Sequence, residues 1–214
     1  MATEKENNAA RLHLELMHEA RIRTEIVSHA FKNEAGFPPQ MVREICYLQF
    51  RLLCETIALC CLVAHGIESR RLRDTYEANK IINELSKLNP EFFPVPMVTG
   101  TNGNATTMGQ RPADQPALTK ADLIKLWGLS GDVLHRAPLS KLEKPRKTDP
   151  ADFSDVLDWS AKLAGLLSCY LIKLTETKAM LVSAKHVETD KPLIEILDAN
   201  LETNTMNVER FRAV

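Results

Sequence analysis

Arg51 and Glu55 stand four residues apart in Arg51-Leu52-Leu53-Cys54-Glu55, within the most apolar stretch of the chain. On a helix that spacing puts both on one face, within reach of each other. A lone charge in such surroundings is costly, whereas a hydrogen-bonded pair is tolerated. The pair is therefore either an ion pair that fixes helix packing or one that orients or polarises a ligand at a pocket wall. A second group runs from Gly128 to Arg136, Gly-Leu-Ser-Gly-Asp-Val-Leu-His-Arg. At about 100° per residue, Gly128, Gly131, Asp132 and His135 share one stripe of a helix. Leu123, Leu126, Trp127, Val133 and Leu134 fall on the opposite stripe and are expected to face the core. Two mid-helix glycines cost about 1 kcal/mol each relative to alanine, which a close approach by another helix, a second subunit or a ligand offsets. Asp132 is spaced to hydrogen-bond His135 and set its tautomer, as the orienting partner of a general acid or base. The alternative is a helix end at which His135 and Arg136 satisfy free carbonyls. Residues 135–147 then carry Arg136, Lys141, Lys144, Arg146 and Lys147 against the single acid Glu143. Such a loop can grip phosphates. No aromatic residue is interleaved with these cations, which argues against base stacking by this segment alone.

Composition narrows the classes. Lys and Arg number 27 against 28 Asp and Glu, so no global basic field draws in nucleic acid and any such contact must be local. The five cysteines form no C-x-x-C pair and read as reduced, buried thiols rather than as zinc ligands or disulfides. There is no Gly-rich phosphate loop, Gly-x-Ser-x-Gly turn or His-Glu-x-x-His helix. His13, His18 and His29 give no two-histidine metal face and read as solvated, and His65 beside Gly66 reads as a helix cap. No cofactor or metal is expected. The opening MATEKENNAA lacks the marks of a secretory leader. The apolar run 56–64 is too short to span a bilayer, so a cytoplasmic chain without a membrane span is expected.

These side chains need elements to position them. The spacing predicts helices over 4–32, with Leu12, Leu16, Ile22, Ile26 and Ala30 in helical register, and over 39–65, apolar on nearly every side and so central. A third is expected over 69–88, opening on the basic turn Arg70, Arg71 and Arg73. A fourth begins at the capping box of Thr119 and Asp122. A fifth begins at Asp149-Pro150 and runs to about 176 through Phe153, Leu157, Leu163, Leu167, Leu171 and Leu174. Residues 90–118, rich in Pro, Gly, Thr and Asn, read as an irregular loop with room for a short hairpin turning at Asn102-Gly103. Residues 180–187 and 193–197 read as a β-hairpin. The expectation is a mainly α chain: a bundle of about five helices over 1–176, a small hairpin appendage over 177–200 and a polar tail over 201–214.

The Arg51-Leu52-Leu53-Cys54-Glu55 helix, followed by Gly131-Asp132-Val133-Leu134-His135, resembles the HEPN superfamily of helical-bundle proteins, in an uncharacterised bacterial branch. The resemblance covers roughly residues 39–176. It implies a dimeric helical bundle of the kind found in defence and toxin systems, many of which cut RNA without a metal. Active members pair an Arg and a His with four to six residues between them. With His135 as that His, the Arg belongs at 128–130, where Gly128, Leu129 and Ser130 stand. The resemblance therefore implies a dimerisation or interaction module without an intact ribonuclease motif. Two other readings stand beside it. One is a metal-independent ribonuclease or RNA-binding protein using His135, Asp132 and Arg136. The other is a small-molecule or nucleotide sensor with the central helix as its pocket wall. The expected partners are a second copy and RNA or another phosphate-bearing ligand.

Overall fold

The computed structural model describes residues 3–66, 72, 74–102, 105–135, 151–184, 191–200 and 205–212. Among them lie α1 (Glu4–Lys32), α2 (Pro39–Ala64), α3 (Ala78–Leu88), β1 (Val95–Asn102), β2 (Ala105–Gln110), α4 (Lys120–Leu134), α5 (Ser154–Leu167), β3 (Cys169–Lys173), β4 (Lys178–Ser183), β5 (Leu193–Asn200) and β6 (Thr205–Arg212). The strands form one sheet in the order β2-β1-β3-β4-β5-β6, every neighbouring pair antiparallel. The fold is α+β, which corrects the expected mainly α, all-helical bundle with one small hairpin.

The correction has three physical sources. First, the segment expected as an irregular loop with room for a short hairpin holds β1 and β2, paired from Met97↔Gln110 to Asn102↔Ala105. Pro90, Pro94, Pro112 and Pro116 lie outside the two strands, and Pro96 sits near the start of β1, where a missing N–H is tolerated. Second, the fifth helix stops at Leu167. Leu171 and Leu174 continue the helical spacing of Leu163 and Leu167, but Tyr170 and Ile172 bury one face of a five-residue strand. A run that short fits either period. Third, the polar tail supplies β6, paired with β5 over eight positions. Edge strands carry polar residues, so β6 has little apolar signal beyond Phe211, which packs on the core. The paired strands expected near the C-terminus are β4 and β5, inside the sheet. Within the described residues the third helix starts at Ala78, and Arg70, Arg71 and Arg73 lie outside them.

Helices α1 and α2 form an antiparallel hairpin. Thr3 and Glu6 make a reciprocal capping box at its start. Asn33, at φ 50°, closes α1 in the left-handed conformation, and its side-chain amide bonds both the N–H and the carbonyl of Phe37. Pro39 then opens α2. α2 packs against α1, α3, α4 and α5, burying Cys46, Phe50, Leu53, Cys54, Ile57 and Cys61. By length and composition α2 could cross a membrane, beyond what its 56–64 run suggests; 67% of that window is buried inside this chain, as in a core helix. α5 packs on β1 and β3, and α1 on β5 and β6. Tyr170, Ile172, Met180, Val182, Ile194 and Ile196 join the helices in one core.

Candidate functional site

The two sequence groups meet in space. Arg51 Nε lies 3.4 Å from Glu55 Oε1, and the guanidinium carbon stands 4.4 Å from the centre of the Trp127 ring. The Trp127 indole N–H donates to the same Glu55 oxygen at 3.0 Å. A Cβ on Gly131 would come within 3.1 Å of Arg51 Nη1. The close approach that this glycine permits is thus to the chain's own arginine. Carboxylate, indole face and glycine hold the guanidinium on three sides, with Arg51 and Glu55 side chains only 26% and 18% exposed. The arrangement clamps α4 onto α2. Trp127, placed by its spacing in the core stripe, contributes the N–H that completes it. Gly128 faces open space.

His135 and Asp132 are exposed. His135 caps α4 through its backbone, its N–H donating to the Gly131 carbonyl at 2.9 Å, and no hydrogen bond joins the Asp132 and His135 side chains. Arg136, Lys141, Lys144, Arg146 and Lys147 lie outside the described residues.

Two polar clusters were not foreseen. His13, expected on a solvated face, is fully buried, with Nε2 2.6 Å from the Tyr170 hydroxyl; that hydroxyl lies 3.0 Å from Met17 Sδ. Nδ1 has no hydrogen-bond partner among the described residues. Burial pushes the His13 imidazole down to about 4. The available signal was its place among Ala10, Leu14 and Met17 on one stripe. In the second cluster, Arg43 and the Tyr47 hydroxyl both donate to Asp155 Oδ2, at 2.5 and 2.6 Å, and Arg43 also bonds the Asp152 carbonyl. Burial raises the Asp155 carboxyl, but these two donors outweigh it and leave it below the usual range. The contact anchors the first turn of α5 to α2. All five cysteines are free and buried, and burial pushes the Cys46 and Cys60 thiols up to about 11 and 12. Among the described residues no group of three His, Cys, Asp or Glu is placed to hold a metal ion.

Among the described residues, a cavity and an apolar face are open to a partner. Between α1, α2 and α5 lies a cavity of about 270 Å³, floored by Phe50 and Leu53, with Ser28 and Ser160 on its facing walls. On the other side of the hairpin runs an apolar face. Ile22 and Ile26 of α1 and Met41 and Leu48 of α2 are 43%, 38%, 46% and 42% exposed. Ile26, Met41 and Leu48 belong to two seams, Leu12, Leu16, Glu19, Arg23, Ile26 and Ala30 on α1, and Met41, Ile45, Leu48, Leu52, Glu55 and Leu59 on α2. At 3.6 residues per turn each seam lies about 120–150° round its helix from the residues that face α5 and the sheet. Arg23 Nη1 reaches Gln49 Oε1 at 3.1 Å and ties the two seams side by side. No family model, curated protein or solved structure matches this chain.

Proposed function

We propose that the protein is an interaction module that pairs with a second copy of itself through the α1–α2 hairpin. The supporting observation is that both seams read the same in either direction about one level of the hairpin. The α1 positions 12, 16, 19, 23, 26 and 30 mirror about residue 21, and the α2 positions 41, 45, 48, 52, 55 and 59 mirror about residue 50. The alternating steps of four and three are the heptad spacing that lets one helix seat its knobs in another's holes. The Arg23–Gln49 bond joins the two helices near these two centres.

A two-fold axis across the hairpin at that level lays α1 antiparallel on its counterpart, and α2 likewise, giving four helices with every neighbour antiparallel. Leu12 then meets Ala30, Leu16 meets Ile26, Leu48 meets Leu52 and Met41 meets Leu59 of the second copy. Glu19 meets Arg23 twice. Ile45 meets Glu55, whose carboxylate Arg51 and Trp127 already hold. Eighteen residue rises by two helix widths of about 10 Å outline roughly 540 Å². Accessible area exceeds the outline, which brings the face towards the ~800 Å² per partner of stable dimers.

Sedimentation at tens of micromolar is expected to give a dimer, and Leu48→Glu a monomer. Glu19→Arg and Arg23→Glu each place like charges across the axis, so each alone is expected to weaken self-association. Mixed one to one they restore opposite charges at both crossings, and a mixed dimer is expected to form in preference to either homodimer. A monomeric native chain, or no preference for the mixed dimer, overturns the reading.

A further inference from the structure

The cavity on the inner side of the hairpin has a chemistry of its own. α1 and α5 both rest on α2 and come together chiefly at one end, where Phe31 and Phe153 meet edge to face at 5.8 Å between ring centres. Beyond that contact the two helices face each other through small residues, Thr24 and Ser28 on α1 and Ser160 and Ala164 on α5, and the gap between them stays unfilled. Its floor, Phe50, Leu53, Val156 and Leu163, is buried, and Phe31 and Leu157 stand half-exposed at its mouth. Among the described residues no charged side chain lines it.

The hydroxyls supply the second observation. A helical Ser or Thr commonly bonds back to a carbonyl in the preceding turn. Thr24, Thr56, Ser86 and Ser130 do so, on the carbonyls of Arg21, Leu52, Ile82 and Leu126 at 2.7–2.8 Å. Among the described residues Ser28 and Ser160 make no such bond, and both stand on the cavity walls, on opposite helices. Exposed Ser28 and half-buried Ser160 thus leave two hydroxyls beside an apolar slot, and a ligand site needs apolar area for affinity and a few polar groups for orientation.

We propose that this cavity binds a small uncharged, chiefly apolar molecule of bicyclic size, held by one hydroxyl or carbonyl between Ser28 and Ser160. Size follows from the volume: an apolar cavity of about 150 Å³ takes benzene, and this one, at about 270 Å³, has room for two fused rings. Charge is excluded because an ion here would give up water and find no counter-ion in the lining.

Calorimetric titration of the full chain with 1-naphthol, 1-methylnaphthalene and 1-naphthoate tests this. The two neutral compounds are expected to bind and the carboxylate to bind at least tenfold more weakly. Ser28→Ala with Ser160→Ala keeps the apolar slot and removes both hydroxyls. It is expected to weaken 1-naphthol about fivefold, one net hydrogen bond, and to leave 1-methylnaphthalene unchanged. Ser160→Leu and, separately, Thr24→Leu fill the space and are expected to abolish binding of both neutral compounds. Both variants leave the outer seam intact, and their folding is checked by thermal melting. Absence of binding by either neutral compound up to its solubility, naphthoate binding as tightly as naphthol, or undiminished binding by both filled variants overturns the proposal.

Discussion

Glu55 accepts a hydrogen bond from Trp127 of α4 and pairs with Arg51 of α2, and this decides what its loss does. Glu55→Ala leaves the Trp127 N–H without its acceptor and the Arg51 guanidinium without its counter-ion in a mostly buried clamp. Breaking a fully buried pair costs about 3–5 kcal/mol, and partial exposure places this one lower, at about 2 kcal/mol. Urea titration measures it, and a loss under about 1 kcal/mol, the range of exposed pairs, would mean that the clamp is solvated. His13 makes a pH-dependent contribution. Its folded value of about 4 lies below the ordinary 6.5, so on acidification the unfolded chain takes up the proton first. The neutral imidazole thus stabilises the fold in full above about pH 6.5, and that stability is lost as pH falls towards 4. The span amounts to about 3 kcal/mol. Urea midpoints at pH 7 and pH 4.5 are expected to differ by much less in His13→Leu than in the native chain. Equal differences would assign the acid sensitivity to other groups.

At the scale of elements, two glycines make opposite predictions. A Cβ on Gly165 of α5 would stand 1.9 Å from the Pro116 carbonyl oxygen, because the segment leading into α4 lies directly on that helix and Leu118 N–H donates to the Lys162 carbonyl at 2.8 Å. Gly165→Ala must push backbone apart and is expected to cost about 2 kcal/mol or more, lowering Tm by about 4–8 °C. Gly128, with nothing within 4 Å, is free to gain helix propensity. Gly128→Ala is expected to raise Tm by about 2–4 °C, for about 1 kcal/mol. Thermal melts that move the two variants in the same direction would contradict the packing of α5 or of α4. The sequence announces elements where local chemistry does. Thr119 and Asp122 mark the start of α4 by a reciprocal cap, and Gly36 with Pro38-Pro39 marks the turn between α1 and α2. It is silent where only tertiary contact chooses: β3 shares its leucine spacing with the helix before it, and β6 owes its place to its ladder with β5. The candidate site divides in the same way. Arg51 and Glu55 are legible as a pair because both lie on one helix. Trp127 and Gly131 join them only through the crossing of α4 over α2, which no spacing along the chain records.

For the whole molecule, the ends of the chain are what the fold brings together. Lys178 Nζ in β4 pairs with Glu6 Oε1 in the first turn of α1 at 2.9 Å, and α1 also packs on β5 and β6. Removing residues 201–214 takes away β6 and Phe211 and uncovers the edge of β5. That truncation is expected to cost at least about 2 kcal/mol, by the scale of lost aromatic burial; an unchanged urea midpoint would show that β6 contributes nothing to the core. The hydroxyl that His13 needs belongs to Tyr170, 157 residues later. At a synthesis rate of roughly 5–20 residues per second, about 8–30 s separate the two on the ribosome. Throughout that interval the hairpin has no sheet to cover the stripe of Ala10, Leu14 and Met17, while Ile22, Ile26, Met41 and Leu48 stand exposed on its outer side. A nascent chain halted before residue 169 therefore carries apolar surface on both sides of one helical hairpin, which makes it a client for chaperones and, if they are saturated, a seed for aggregation.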